Sequence, residues 1–355
     1  MTGLGARSTG RRAAHRAALD HVLALVADAP WSDSLVLRGS MTLPAWVGAA
    51  AREPADLDWV VLEDVVRVDP LDPYPYVDGI EAVQQWPEAA DGAGESELWR
   101  EEEFGTGGQR PRLPPEGLRW LREGEDKSDQ SPPYMDLLDR IRASPEAAPG
   151  VLLDADAAKP DGEWTYAEYD LPGIRLLVPW RAEGLDEPGE VRLDFARDEL
   201  LPEPPQWTAV PRGDGGSPVA VRTVGPAVSL AWKVLWLRSD SAAEAGARGK
   251  DLYDAVLLAE AAGTRLPPRL LGKVLRRGQA GAAAAAAAAF GPEQVTGWRV
   301  DWTAFRAEHP WIPGTAADWL TRLRDALNDT LARGARPDGP GRRTHRRPDL
   351  LRPPD

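Results

Sequence analysis

Between Ser34 and Leu62 the chain changes its backbone preference three times, and this stretch constrains the fold more than any other. Ser34 to Arg38 is a short apolar run with strand character, and Gly39-Ser40 interrupts it. Met41 to Ala50 has helical character, with Pro44 in the first turn, where proline is tolerated. Asp56 to Leu62 is strand-like again. Strand residues two apart point the same way. Asp56, Asp58 and Val60 therefore share one face, and Leu57, Trp59 and Val61 share the other. The apolar face packs, which leaves two carboxylates side by side on a face that is free to bind something.

Composition limits what that is. The chain has 355 residues, with no cysteine and four histidines, His15, His21, His309 and His345. Disulfides, thiolate nucleophiles and cysteine-based metal sites are excluded. The histidines are scattered, so a divalent ion would be held by oxygen, which points to Mg or Mn. Two carboxylates close together repel when partly buried, and they make sense if such an ion sits between them. Acidic side chains outnumber basic ones by 56 to 42, a net charge of −14, which speaks against a broadly basic nucleic-acid binder and leaves room for a local basic groove. No apolar run reaches the length of a membrane-spanning helix. The stretch after the Arg-rich start is broken by Asp20, His21 and Asp28, unlike a secretory signal, so the cytoplasm is the default compartment.

Along the rest of the chain, Arg11 to Ala27 reads as an amphipathic helix with Leu19, Val22, Leu23 and Val26 at helical spacing. From about 70 to 150 an acidic, Pro- and Gly-rich stretch carries interspersed aromatics and reads as an irregular, partly packed insertion. Trp164 to Asp170, Ile174 to Trp180 and Glu190 to Ala196 look like strands. Pro226 to Arg238, Gly249 to Ala262, Pro268 through the Ala282–Ala289 run, and Ala316 to Ala332 look like helices, and an Arg-rich tail at 333–355 reads as disordered. The expected fold class is α/β (α+β). Residues 1–225 form a domain with a short mixed sheet, and 226–332 form a mostly helical C-terminal domain.

Four groups of residues stand out chemically. Gly39 lets the backbone approach a ligand closely, and Ser40 opens a helix whose free N–H groups suit a phosphate. Asp56 and Asp58 are candidate metal ligands. Asp194, on the same face as Arg192 in Val191 to Ala196, would add the third carboxylate of a two-metal site, although an ordinary half-exposed strand with a salt bridge is as consistent with the spacing. Lys233 lies in the apolar run Ala231 to Leu235, where an ammonium suits either a triphosphate oxygen or snorkelling to the surface. Lys250 and Asp254 are four apart on a helix and are placed to pair. Asp154-Ala155-Asp156, a second acidic triplet, reads as a surface loop. Asp56 and Asp58 share one strand face and one environment, so a glycosidase-like split into acid and base is not expected.

In order, Leu37-Arg38-Gly39-Ser40, Asp56-Leu57-Asp58-Trp59, Asp194 in its strand, Ala231-Trp232-Lys233 and Arg248-Gly249-Lys250-Asp251-Leu252-Tyr253-Asp254 resemble the AbiEii/AbiGii-type toxin nucleotidyltransferases of the polymerase-β-like nucleotidyltransferase superfamily. The resemblance implies a polymerase-β-like nucleotidyltransferase domain. It implies transfer of a nucleoside monophosphate from a nucleoside triphosphate (NTP) to an acceptor hydroxyl, with Mg or Mn as cofactor. Gly39 and Ser40 would cradle the phosphates, and Asp56, Asp58 and Asp194 would hold the metal, with Asp194 also helping to deprotonate the acceptor. Lys233 would contact the triphosphate, and Lys250 and Asp251 would line the site. The implied acceptor is RNA, such as a tRNA 3′ end, ahead of a protein hydroxyl or a cationic small molecule such as an aminoglycoside. Arg7, Arg11, Arg12 and Arg16, with the arginines of the tail, favour RNA, and the acidic segment Glu101 to Asp129 favours a cation. The implied setting is a toxin–antitoxin or phage-defence system with a separate antitoxin. A degenerate, non-catalytic nucleotide-binding regulator is the alternative from another class, and the presence of all three carboxylates speaks against it.

Overall fold

The computed structural model describes residues 2–62, 134–161, 165–166, 171–196, 201–277 and 291–335. Its helices are α1 (Thr2–Ala27), α2 (Leu43–Val47), α3 (Tyr134–Ala143), α4 (Pro226–Asp240), α5 (Gly249–Glu260), α6 (Pro268–Arg277), α7 (Trp302–Glu308) and α8 (Ala316–Ala335). The strands are β1 (Leu35–Arg38), β2 (Leu57–Val61), β3 (Glu146–Ala148), β4 (Val151–Leu153), β5 (Lys159–Asp161), β6 (Thr165–Tyr166), β7 (Leu171–Ala182), β8 (Gly189–Ala196), β9 (Gln206–Val210), β10 (Val219–Thr223), β11 (Ala247–Arg248) and β12 (Val300–Asp301). The main sheet runs β3-β4-β7-β8-β2-β1-β10-β9, with β5 and β6 also on β7. It is mixed: β8 is parallel to β2 and β10 to β1, while β2–β1, β7–β8 and β9–β10 are antiparallel.

Side-chain alternation divides the core into two layers. Leu35, Leu37, Leu57, Trp59, Leu193 and Phe195 pack under α1, whose Leu19, Val22, Leu23 and Val26 fill the same cluster. Val36 and Val60, one residue out of phase, point to the opposite face and pack with Leu230, Val234, Leu252 and Val256 of α4 and α5. The α/β class and the facial division of β2 are as expected.

Several local readings are corrected. Met41 to Ala50 is not one helix: a 3-10 turn (Gly39–Thr42), the five-residue α2 and a second 3-10 turn (Gly48–Ala50) replace it, broken where Gly48 takes a φ of 58°. The insertion is not irregular to its end, because α3 buries Leu137 and Ile141 in the α1 layer and Asp136 accepts a hydrogen bond from Trp31. Of the expected strand at Trp164 to Asp170, Thr165–Tyr166 is strand, and the other residues lie outside the described ones. The tail begins in helix, since α8 continues to Ala335. Asp154 and Asp156 sit in an exposed turn, as read. The bulk of the insertion, the polyalanine run and the rest of the tail lie outside the described residues. No helix among the described residues is long and apolar enough to cross a membrane.

Candidate active site

The site forms on the sheet face that looks toward α4 and α5. Register does most of the work. Arg38 of β1 lies opposite Asp58 of β2, Asp58 opposite Asp194 of β8, and Asp194 opposite Arg175 of β7. Four neighbouring strands thus present a row of charges, one cation at each end and two carboxylates between. Asp56 stands at the entry to β2, buried, two residues before Asp58. The structure therefore brings Asp56, Asp58 and Asp194 together across a gap of 136 residues between β2 and β8, measured from Asp56 to Arg192.

Counter-charges fix the row. Arg175 donates to both oxygens of Asp194, at 2.7 and 2.9 Å. Arg192 donates from Nη2 to Asp56 Oδ2 at 2.6 Å, and its Nε lies 3.9 Å from Asp194 Oδ2. Arg38 is buried, with its guanidinium 5.3 Å from the Trp232 ring of α4. Burial and the negative charges of Asp56 and Asp194 push the Asp58 carboxyl up to about 7, against the opposing pull of Arg38 and Lys250. Burial also raises the Asp56 carboxyl, but Lys250, Arg192 and Arg52 outweigh it and hold Asp56 below the usual carboxylate range. The expectation of one shared environment is therefore wrong. Asp56 sits at the margin among cations, whereas Asp58 is flanked by two other carboxylates.

Gly39 meets this row directly. Its φ is 74°, and a Cβ built there would stand 2.2 Å from Asp58 Oδ2, so no side chain fits between the turn and the carboxylate. Ser40 is buried beside it, and its Oγ donates to Asp56 Oδ1 at 3.5 Å.

Lys233 and Asp251 belong to a second, buried network. Lys233 donates to Asp251 Oδ1 at 2.5 Å and lies 3.2 Å from Asp254 Oδ2. Asp254, fully buried, takes hydrogen bonds from Arg52 Nε and Nη2 at 3.0 Å each. Burial would lower the Lys233 ammonium, but the two carboxylates more than reverse it. Burial would raise Asp254, and Arg52 with Lys233 reverse that too. Lys233 thus neither snorkels nor stands open to a phosphate. It ties α4 to α5, while Arg52, with the Tyr253 hydroxyl donating to Ala50 O at 2.8 Å, ties the loop before β2 to α5. The expected Lys250–Asp254 pair is replaced by Arg52 and Lys233. The positive charge of Lys250 instead lowers both Asp56 and Asp58, so the lysine is close enough to be felt by the carboxylates.

The three carboxylates are chemically suited to a divalent ion: all donors are oxygen, and crowding has left Asp58 with an affinity for positive charge. Among the described residues, however, no three such side chains converge as a finished cage, because arginines hold Asp56 and Asp194. Arg52 and Arg175, and which carboxylate each arginine holds, are what the sequence reading missed. Arg192 was visible on the face of Asp194. Arg52, whose partner is 202 residues away, left no local signal.

The family model described as nucleotidyl transferase AbiEii toxin, type IV toxin–antitoxin system, matches residues 22–328. No curated protein sequence matches. Among solved structures, JHP933 from Helicobacter pylori is similar with a TM-score of 0.43 at 11% identity, covering 91% of this chain and 93% of that one. A candidate nucleotidyltransferase from H. pylori is similar with a TM-score of 0.41 at 10% identity, covering 90% and 94%. With such scores neither likeness bears on activity. The family match spans nearly the whole described chain, including every residue of the charged row and of the buried network: the protein belongs to the AbiEii nucleotidyl transferase toxin family and is a nucleotidyltransferase.

Proposed function

We propose that this enzyme is Mg-dependent (Mn serving as well) and transfers a nucleoside monophosphate from an NTP to a hydroxyl of RNA, with a tRNA 3′ end as the preferred acceptor. The observation that carries the metal-dependent part is the register that sets Asp58 against Asp194, with Asp56 alongside. In the reaction the acceptor oxygen bonds to the α-phosphorus, the bond to the β-phosphate oxygen breaks, and pyrophosphate leaves. A divalent ion held by Asp56, Asp58 and Asp194 would neutralise charge on the triphosphate and favour the ionised acceptor. In this reading Asp194 would help to deprotonate the acceptor hydroxyl. Gly39 keeps the turn close to Asp58, and Lys250 adds fixed positive charge. Lys233 acts from behind, by holding α5 and hence Lys250 in place, rather than by touching phosphate.

RNA as acceptor is supported by the tail arginines more than by α1. Arg11 donates to the carbonyls of Glu187 and Pro188, and Arg16 donates to Asp20 and Pro211 O, so both are engaged in seating the helix. The family supports a toxin role opposed by an antitoxin partner, and in our reading it acts in the cytoplasm in a phage-defence setting.

The test is a labelling assay with each α-labelled NTP, Mg, cell RNA and cell protein, run with the native enzyme and an Asp58→Asn variant. Label in RNA that depends on Asp58 is the expected result. Label in protein would move the acceptor to a protein hydroxyl, and label in neither fraction would leave a small-molecule acceptor or a non-catalytic nucleotide binder.

Gly39→Ala tests the cradle. The new methyl group must displace the turn or Asp58 by about an ångström, and a shift of that size costs ~100-fold in rate. The left-handed backbone adds roughly 1–2 kcal/mol of strain. Steady-state rates and a thermal melt measure both, and an unimpaired rate would mean that the turn does not bound the site.

A further inference from the structure

One cation of the charged row has no part in the chemistry described so far. Arg192 lies two positions before Asp194 on β8, and its guanidinium interacts with Asp56, Asp194 and Asp58 alike. It makes one hydrogen bond to a carboxylate, from Nη2 to Asp56. Its Nε is buried with no hydrogen-bond acceptor, a costly state for a charged donor. Yet 39% of the side chain is exposed, so the guanidinium stands next to solvent at the edge of the site. Arg175 differs: it grips Asp194 through two parallel hydrogen bonds and is more deeply set. Arg192 is therefore the loosely held member, with one donor unused.

It also stands where a metal's charge would be felt. A divalent ion on Asp56 and a guanidinium on the same carboxylate repel by about 4 kcal/mol per unit of charge at contact distance near a protein surface. A divalent ion on Asp56 would therefore weaken the hold of Arg192 on the same carboxylate. The planar fork of arginine matches phosphate as well as it matches carboxylate, and a nucleoside triphosphate brings the anionic oxygens that would receive it.

We propose that Arg192 is an exchangeable cation: it neutralises the three carboxylates while no divalent ion is bound, and it donates to the phosphates of the NTP once one is. The inference rests on the metal-dependent reading above. It assigns one residue two opposite effects, against metal binding and in favour of substrate binding, which a plain structural salt bridge does not have.

The experiment measures the two affinities separately. Mn binding is followed by electron paramagnetic resonance without nucleotide. Binding of a non-hydrolysable NTP analogue is followed by calorimetry at saturating Mg. Arg192→Met is expected to bind Mn about tenfold more tightly and the analogue about tenfold more weakly, each equal to about 1.4 kcal/mol. Arg192→Gln, which keeps a donor for Asp56 but no charge, is expected to shift both in the same directions and serves if the methionine variant fails to fold. Arg192→Lys keeps the charge and should hold Mn affinity near that of the native protein. Unchanged or weakened Mn binding, or unchanged analogue binding, in the neutral variants overturns the proposal. A native protein that binds no Mn, with Asp58→Asn indistinguishable from it, overturns instead the metal-dependent reading on which the proposal stands.

Discussion

Replacing Asp58 by asparagine is expected to abolish nucleotide transfer while making the folded protein more stable at neutral pH. If Asp58 holds the metal as proposed, its loss removes several kcal/mol of transition-state stabilisation, about a thousandfold in rate. The stability gain follows from the raised carboxyl. Its value of about 7 in the folded chain exceeds the ordinary 3.8, so the folded state binds its proton more tightly than the unfolded one. Above pH 7 both states are ionised, and the folded state bears the cost of burying the charge together with the repulsion from Asp56 and Asp194. As the pH falls from 7 toward 4 the folded carboxyl takes up its proton and the penalty disappears. The asparagine variant should therefore melt higher than the native protein at pH 8, with the difference shrinking to nothing near pH 4. Melting curves across that range check it. A variant that is equally active, or one destabilised at pH 8, would remove Asp58 from the centre of the site.

The second large effect is on stability alone. Asp254→Ala leaves Arg52 and Lys233 facing each other in a buried space with Asp251 as the remaining partner, and breaking a buried ion pair in this way costs about 3–5 kcal/mol. Denaturant unfolding measures it. The double variant Asp254→Ala with Lys233→Met should be less destabilised than the two single variants together, because one uncompensated charge goes with its partner. Simple additivity would show that the network is not coupled. This outcome also separates two views of Lys233. If the lysine acts on triphosphate directly, Lys233→Met weakens substrate binding and spares stability. If it ties α4 to α5, stability falls first.

Much of the site was legible because its carboxylates lie on strands, where a period of two assigns faces without any tertiary knowledge. Val60 against Trp59 was enough to orient Asp58, and Val191, Leu193 and Phe195 oriented Asp194. The order of the motifs then carried the family. What was illegible has specific causes. β9 and β10 were missed because Gln206, Thr208 and Arg222 interrupt their apolar content and prolines bound both. α3 was missed because it closes a stretch dominated by proline, glycine and acid. The partners of the carboxylates were missed because an arginine can reach any carboxylate within its long stem, and sequence spacing does not say which. Lys250 and Asp254 show the same limit in reverse, since an i,i+4 spacing allows a pair that two better-placed cations on other segments take over.

The shared apolar layer between the sheet and the C-terminal helices has a consequence for how modular this enzyme is. Val36 and Val60 lie within two residues of Arg38 and Asp58, and they are covered by α4 and α5 rather than by anything that precedes them in the chain. A fragment ending at Thr223 would carry all three carboxylates and the glycine turn, yet it would expose the apolar part of the same sheet face, around Val36 and Val60. The catalytic half is thus not a portable cassette to which a helical half was added for specificity. Fusion, truncation or proteolytic clipping near Gly225 should yield aggregation rather than a smaller enzyme, and cutting this one joint would disarm the protein without touching a catalytic residue.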